Sequence, residues 1–494
     1  MPKKVVTPFS RIREYFDQPF SEQDGKLFCN ICNVNINFEK KSVIDNHLNS
    51  KIHINAIESH NNQLVNNSNH LKEMVNCFLK AGIPLHTLKN EAFKNWLNKN
   101  LKYNFPKSES SARRQLPEIG EEDFNETIEL CKNHFVAIIC DETIDILNRK
   151  IINILIKPLQ FNKKARLVYT TAAEKCDSSL ILQVITDLLY KMKLNWPQIL
   201  VLVTDNAPYM ICLGNKMKVL NSKLIHTTCW AHILHLVSEE IRDKFEITDK
   251  LISNMKTTLV KCYSQQQLFL NSMQFNGFKS VLPPKPVLTR WTTWLITASF
   301  YNNHFSAVTK YIIESEPDTK AMCKLKNIIA KNELIEQLNQ INEISKVLQI
   351  AIKQMESDDI LASQIWPILE NVALALDSIE FPSVKLNSYM DHKHPALQIW
   401  KDVQVFDPRK ALFLIKNNQL PDSVKQHSNT EIELNEILQN KIICKDFSNF
   451  ENINQFWSLY KKNILNLYKL ASIYLSIPGS SAAVERSFSY LKKL

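Results

Sequence analysis

Two groups of residues in this chain are suited to metal chemistry. Cys29 and Cys32 stand close together, with His47 and His53 downstream, in the spacing C-x2-C-x14-H-x5-H. A cysteine pair on a turn and a histidine pair on a helix can bring four soft or borderline ligands into the tetrahedron that Zn²⁺ prefers. Leu27, Phe28, Ile31, Phe38, Ile44 and Leu48 supply a small apolar core, and a segment this short rarely folds without such a staple. The second group is dispersed. Asp141 closes the apolar run Phe135 to Cys140, and Asp205 follows the run Ile199 to Val203. Glu485 comes shortly after Pro478 and Gly479, which break one helix, and Ser480 or Ser481, either of which can cap the next. Acids at the ends of neighbouring strands can hold Mg²⁺ between them. A pair of such ions activates water and stabilises the leaving oxygen in phosphoryl transfer. Each residue alone has a plainer reading: a strand-end aspartate is often a turn residue, and a glutamate suits the positive end of any helix.

The elements that must position these groups are legible from periodicity. Phe135 to Cys140, Ile151 to Ile156, Leu167 to Thr171, Ile199 to Val203 and Leu224 to Thr228 read as strands. Leu180 to Tyr190, Asn206 to Leu220 and Cys229 to Ile241 read as helices between and after them. Together they form an α/β sheet, with its chemistry expected at the strand ends. From about 291 to 470 the pattern is almost wholly helical. Leu334, Leu338, Ile341, Ile344, Leu348, Ile352 and Met355 recur at helical spacing, as do Phe456, Tyr460, Ile464, Leu467, Ala471 and Tyr474. Residues 1–25 read as a loose arm. Ser59 to Asn69 and Pro106 to Pro117 read as polar linkers on either side of a helical segment at 71–104.

Composition narrows the function classes. Only 6 of 494 residues are glycine, which excludes glycine-rich phosphate loops and dinucleotide fingerprints, so no nucleotide cofactor is expected. The net charge of +10 suits a polyanionic partner. No early apolar run follows the opening Met-Pro-Lys-Lys, and no stretch of about 18 apolar residues occurs, so neither a secretory signal nor a membrane span is expected. Of the eleven cysteines only Cys29 and Cys32 are closely paired, which points to a reducing compartment, cytosol or nucleus.

The run GKLFCNICNVNINFEKKSVIDNHLNSKIH, continued by KAGIPLHTLKNEAFKNWL, resembles the BED-type finger and following segment of the CGG triplet-repeat-binding protein family. The resemblance implies DNA binding by residues 1–104. Lys40, Lys41 and Lys51 flank the histidine pair and either meet phosphates and base edges or stand as solvated helix charges.

Further along, IPGSSAAVERSFS resembles the C-terminal signature of hAT transposases, whose catalytic glutamate corresponds to Glu485. CDET and VTDNAPYM resemble that family's two aspartate motifs, at Asp141 and Asp205. HTTCWAHILHL resembles its Cys-x2-His element, placing Cys229 and His232 near the scissile phosphate, with His232 contacting it. TRWTTW resembles its Arg-Trp element, with Trp291 stacked on a nucleotide beside the cleavage point and Arg290 next to it. His226, Cys229, His232 and His235 recur every third residue, a spacing that drifts around a helix and argues against one shared metal.

Membership in that family implies an α/β ribonuclease-H-like core interrupted by a large all-α insertion, behind a small N-terminal zinc finger. The implied boundaries are 1–60 for the BED-type C2H2 finger and 71–104 for the small helical segment. The first part of the core is 120–290, the insertion 291–450, and the dimerisation region with the last core helix 451–494, where Trp457 matches a characteristic tryptophan. Family members usually continue beyond the point where this sequence stops, so the last segment is expected to be truncated. The implied function is DDE-type, Mg²⁺- or Mn²⁺-dependent cleavage and transfer of double-stranded DNA by a nuclear homo-oligomer, with structural Zn²⁺ in the finger. The competing reading is an inactive DNA-binding transcriptional or chromatin regulator that dimerises through its C-terminal region.

Overall fold

The computed structural model describes residues 6–100, 109–286, 292–315, 319–378, 394–410 and 453–491. The chain divides into two compact units, one up to Asn125 and one from Glu126.

The first unit is built around a three-stranded antiparallel sheet, β1 (Phe20–Gln23), β2 (Lys26–Cys29) and β3 (Val34–Ile36). Asp24 and Gly25 both take positive φ and close the β1–β2 hairpin, the geometry a two-residue turn requires. The stretch expected to be a loose arm is ordered from Pro8 onward. Thr7 caps the helix α1 (Pro8–Glu14), and proline stands at its first turn, where no amide hydrogen is needed. Arg11 of α1 is buried and donates to the carbonyls of Phe38 (2.8 Å) and Glu39 (2.9 Å), fastening the arm to the small core of Phe20, Leu27, Cys29, Ile36 and Ile44. Next come α2 (Lys41–Leu48) and α3 (Lys51–Ala81). The linker expected at Ser59 to Asn69 lies inside α3. No proline or glycine interrupts that polar run, so the helix continues from its Ser50 cap to the left-handed Gly82. A 3-10 turn at Leu85–Lys89 and the helix α4 (Glu91–Asn100) pack Leu85, Leu88 and Leu97 against Val75 and Phe78. The second expected linker contains α5 (Glu109–Arg113) and the start of α6 (Leu116–Cys131), which tolerates Pro117 in its first turn; 106–108 lie outside the described residues.

The second unit holds a five-stranded sheet in the order β6-β5-β4-β7-β8. Its strands are β4 (Val136–Ile144), β5 (Lys150–Pro158), β6 (Arg166–Ala173), β7 (Ile199–Thr204) and β8 (Ile225–Thr228). β4, β5 and β6 are antiparallel neighbours, whereas β7 runs parallel to β4 and β8 parallel to β7. The parallel crossings are made by α7 (Ser178–Met192) and α8 (Pro208–Leu220), and α9 (Trp230–Lys244) follows β8. The central strands are apolar on both faces, as expected of strands covered on both sides.

α8 lies very close to β8. A Cβ on Gly214 would sit 2.0 Å from Nδ1 of the buried His226 ring. That ring is pinned by Thr204 Oγ1 at 3.0 Å from its Nε2, so it has no room to yield. Gly214→Ala is therefore expected to destabilise the protein by about 1–3 kcal/mol, the usual range for overpacking. Urea unfolding followed by tryptophan fluorescence checks this; an unchanged midpoint would contradict the close approach.

The helical layer begins before 291, because α10 (Glu246–Lys261) and α11 (Tyr263–Phe275) precede that point. They share one apolar core with the later helices, which is why the pattern shows no clean boundary there. The apolar series of the helix Glu333–Met355 is buried as its spacing predicts. The chain returns to the sheet through the helices Ile453–Tyr460, Leu465–Leu475 and Ala482–Leu491. Trp457 is buried within the unit and donates to the carbonyl of Phe406 (3.0 Å).

Candidate functional site

The four finger residues converge. Cys29 ends β2, and the turn after it carries Cys32, whose amide donates to Cys29 Sγ (3.5 Å). His47 lies in the last turn of α2 and His53 in the first turn of α3. Between them, Ser50 Oγ accepts from the His53 amide (3.2 Å) and fixes the bend that turns both rings toward the sulfurs. One ligand atom from each residue lies within 4.8 Å of all the others. Cys32 Sγ is 3.1 Å and Cys29 Sγ 3.6 Å from His53 Nδ1. Nε2 of both histidines is buried without a hydrogen-bond partner. Burial, and then the neighbouring Cys29, push the Cys32 thiol up to about 11. Burial holds both histidines below their ordinary value, which keeps the rings neutral. Two thiols and two neutral imidazoles fit Zn²⁺, which would replace the thiol protons. Lys40, Lys41 and Lys51 are exposed around this group, at the starts of α2 and α3; Lys41 also pairs with Glu14 (3.3 Å).

In the second unit the sheet register brings the aspartates together. Ile139 pairs with Val203 across the parallel strands β4 and β7. Side chains alternate along a strand, so Asp141 and Asp205, each two residues further on, leave the sheet on one face. Asp141 was expected at a strand end, yet β4 continues to Ile144 because its antiparallel pairing with β5 persists to Lys150. It is the pairing with β7 that ends, and Asp141 lies just past that fork.

Burial, and then the charge of Asp205, push Asp141 up to about 8, with a further contribution from Glu485; the Glu142 amide and Ser481 oppose the shift. Asp205 is also raised, chiefly by burial, while the amide of Ala207 (3.1 Å) and His232 favour its ionised form. Two half-buried, mutually repelling carboxylates fit a divalent cation, which would relieve both effects.

Glu485 stands in the first turn of the helix Ala482–Leu491 and is exposed. That helix is held over the aspartates by its N-terminal segment. Ser481 Oγ donates to Asp141 Oδ2 (3.2 Å), Asn153 Nδ2 to Ser487 Oγ (2.7 Å), and Ser480 Oγ to the Met355 carbonyl (2.7 Å). Among the described residues, the finger is the one group of three or more metal-type ligands drawn together in this way.

His232 is exposed on α9, on the side that favours ionised Asp205. Cys229, expected at the DNA surface, is only 1% exposed and cannot touch nucleic acid. Its sulfur accepts from the Ser481 amide (3.3 Å), and the next amide, of Trp230, donates to the Gly479 carbonyl (3.0 Å). It therefore acts as a positioning residue. His226 is buried in the sheet and pushed down to about 4 by burial, and His235 lies 3.8 Å from Glu356, so this histidine series forms no common site. Arg290 and Trp291 lie outside the described residues. The sequence reading missed Ser481 as a partner of Asp141. It also missed Asn153, whose only signal is an amide side chain inside the apolar run of β5.

Residues 2–59 match the family model described as the CGGBP1 N-terminal domain. CGG triplet repeat-binding protein 1 of Mus musculus and of Homo sapiens are each 31% identical over 144 residues, covering 25% of this chain and 85% of the relative. The chain belongs to the CGG triplet repeat-binding protein family. At the other end, residues 433–494 match the hAT family C-terminal dimerisation region. This second match takes in Trp457 and Glu485, so the chain joins an N-terminus similar to that family to a C-terminal stretch similar to the hAT dimerisation region. Among the described residues no helix is long and apolar enough to cross a membrane.

The raised Asp141 has a measurable consequence. An unfolded chain ionises this carboxyl near 3.8, whereas the folded one keeps its proton up to about 8. Between those values the unfolded state binds fewer protons, so the group costs stability as pH rises from about 4 to about 8. Asp141→Asn keeps the shape without the charge. In Mg²⁺-free buffer at pH 7.5 it is expected to raise Tm, by about 2–4 °C for each kcal/mol relieved. The gain should vanish at pH 4 and be matched in the parent protein by added Mg²⁺. A lower Tm for the variant at pH 7.5 would contradict the repulsion.

Proposed function

We propose that this chain is a hAT-derived, DNA-binding phosphoryl-transfer protein of the nucleus. In this reading a BED-type zinc finger holds double-stranded DNA, and a ribonuclease-H-like core cleaves and joins strands. The observation that carries it is the shared face of Asp141 and Asp205 on adjacent parallel strands, with the Glu485 helix fastened to Asp141 through Ser481. The strand order β6-β5-β4-β7-β8, with three antiparallel strands followed by two parallel ones, supports the ribonuclease-H-like assignment. The relatives are named for binding CGG triplet repeats, which supports DNA as the partner of the finger, with Lys40, Lys41 and Lys51 as contacts. The hAT dimerisation match supports a homo-oligomer.

Asp141, Asp205 and Glu485 would hold Mg²⁺ or Mn²⁺, which supplies charge neutralisation and an activated water. The chain's own residues do the rest. Ser481 orients Asp141, Cys229 and Gly479 seat the segment before Glu485, and His232 faces the phosphate from α9. Trp291, beside Arg290, would stack on a nucleotide.

One observation favours a second reading. Glu485 is exposed, and among the described residues the metal-type ligands drawn together as a group of three or more are those of the finger. A chain that keeps the fold but leaves this site open would be an inactive, DNA-binding regulator. Metal-dependent nicking of a labelled transposon-end duplex, compared between the parent protein and Glu485→Gln, separates the two. Nicking lost in the variant supports the transposase reading; zinc-dependent binding without nicking by either protein supports the regulator.

A further inference from the structure

Beyond Asp141, β4 continues into a tight turn, Asp145 to Arg149, before β5 begins. The tip carries two apolar side chains where polar ones would normally stand. Ile146 is 97% exposed and Leu147 66% exposed, and Ile144 beside them is also exposed. The turn beneath them is tightly held. Asp145 Oδ1 accepts from the amides of Leu147 (2.9 Å) and Arg149 (2.8 Å), and Oδ2 accepts from Arg149 Nε (2.8 Å). The Asp145 amide donates to the Arg149 carbonyl (3.0 Å), and Asn148 takes positive φ to close the loop. These bonds hold the Asp145 carboxyl below its ordinary range, with the Arg149 amide as the first cause. An aspartate with this many local bonds fixes a turn. The two exposed aliphatic chains are thus presented on a rigid support.

Position gives the tip a meaning. It projects from the same end of the sheet at which Asp141 and Asp205 emerge, because β4 and β7 run parallel and both carry their acids past the last paired residues. Three residues of strand carry the chain from Asp141 to Ile144, a span of about 10 Å at roughly 3.3 Å per residue, and the tip follows directly. That is a few base pairs along a duplex. Arg149 and Lys150 stand at the base of the turn, each already paired with an acid of the same hairpin, Asp145 and Glu142. Cations at the base suit a phosphate backbone, and an apolar tip suits base faces. Proteins that unstack DNA do so with aliphatic wedges held on rigid elements, at a cost of a few kcal/mol per step.

We infer that Ile146 and Leu147 form a wedge that enters the DNA stack beside the phosphate held at Asp141 and Asp205 and opens the duplex there. The inference rests on the phosphoryl-transfer reading for the identity of the DNA, but its first readout needs no cleavage.

The test uses the full chain, the double variant Ile146→Ser/Leu147→Ser, and a duplex of the terminal sequence flanking the gene. 2-Aminopurine replaces one base at a time along the duplex, and Ca²⁺ replaces Mg²⁺. The parent protein is expected to raise the fluorescence several-fold at one or two adjacent positions. The double variant should bind the duplex with unchanged affinity, set by the finger, without that rise. In Mg²⁺ the variant should cleave the paired duplex about tenfold or more slowly, the rate equivalent of an unstacking step left unassisted. It should regain parental rates on a duplex mismatched at the same positions.

No fluorescence rise with the parent protein, or the same rise with the variant, overturns the wedge. So does an equal cleavage deficit on paired and mismatched duplexes. A variant that loses self-association in gel filtration while the fluorescence persists would assign the tip to a second copy of the chain, which also overturns it. A rise that depends on Ile146 and Leu147, with no cleavage by any form, would leave the wedge standing and reject the phosphoryl-transfer reading.

Discussion

Glu485→Gln is expected to abolish Mg²⁺- or Mn²⁺-dependent nicking of a transposon-end duplex while leaving DNA affinity unchanged. The reasoning starts from charge. Asp141 keeps its proton up to about 8 in the absence of metal, because it is half-buried and stands close to the charge of Asp205. Two such carboxylates hold a divalent cation only if the cation outweighs their repulsion, and a third carboxylate on the opposing helix adds to its hold. Glutamine keeps the length and hydrogen-bonding shape of glutamate but removes the charge. Losing several kcal/mol of transition-state charge stabilisation corresponds to a fall of roughly 10³-fold in rate. The helix itself should survive the change, since its fastening runs through Ser480, Ser481 and Ser487. Circular dichroism and gel-shift affinity serve as controls. Equal nicking by parent and variant would remove Glu485 from the site, and nicking by neither would turn the reading toward a DNA-binding regulator.

The other large effect is expected from removing zinc. The finger's own core is five buried apolar side chains, Phe20, Leu27, Cys29, Ile36 and Ile44, too few to hold a small sheet alone. Apparent zinc-binding free energies in such units are about 10–16 kcal/mol at neutral pH, and that binding energy is the folding energy. Cys29→Ser, or a strong chelator, should therefore unfold the segment from α1 to the start of α3, and DNA affinity should fall by at least about 100-fold, to the level of non-specific charge attraction. The unit from Glu126 onward keeps its own core and should retain its Tm. The pH dependence has a definite sign. Zn²⁺ must displace protons from the cysteines, with Cys32 at about 11 without metal, so zinc affinity falls as pH falls. The histidines, held below their ordinary value, begin to compete for protons only in more acid solution. Binding that survives chelation would place DNA recognition elsewhere in the chain.

These expectations show how the information is divided. The ligand set Cys29, Cys32, His47 and His53 was legible in the sequence from its spacing, although the two histidines expected on one helix stand on two, at the end of α2 and the start of α3, because the chain bends at Ser50. The strands carrying Asp141 and Asp205 were legible too, because long apolar runs bounded by acids have few alternatives. The helix Glu333–Met355 followed from its period. Local pattern failed where order depends on partners distant in sequence. The N-terminal arm is ordered because Arg11 reaches the carbonyls of Phe38 and Glu39, and nothing within the arm announces that. The polar run at 59–69 stays helical because both ends of α3 are capped outside it.

The arrangement around the carboxylates depended most on the tertiary structure. Sequence motifs named Asp141, Asp205 and Glu485, but the register Ile139 to Val203 put the two aspartates on one face. Sequence likeness placed Cys229 at the DNA. Folding buries it beneath Ser481, because the amide of a residue more than two hundred positions away needs an acceptor there. Which side chains touch, and how far a buried carboxyl shifts, are set by contacts between segments that the chain brings together only when it folds. Residue types and spacing determined what chemistry was available to this protein; packing decided which of those groups meet.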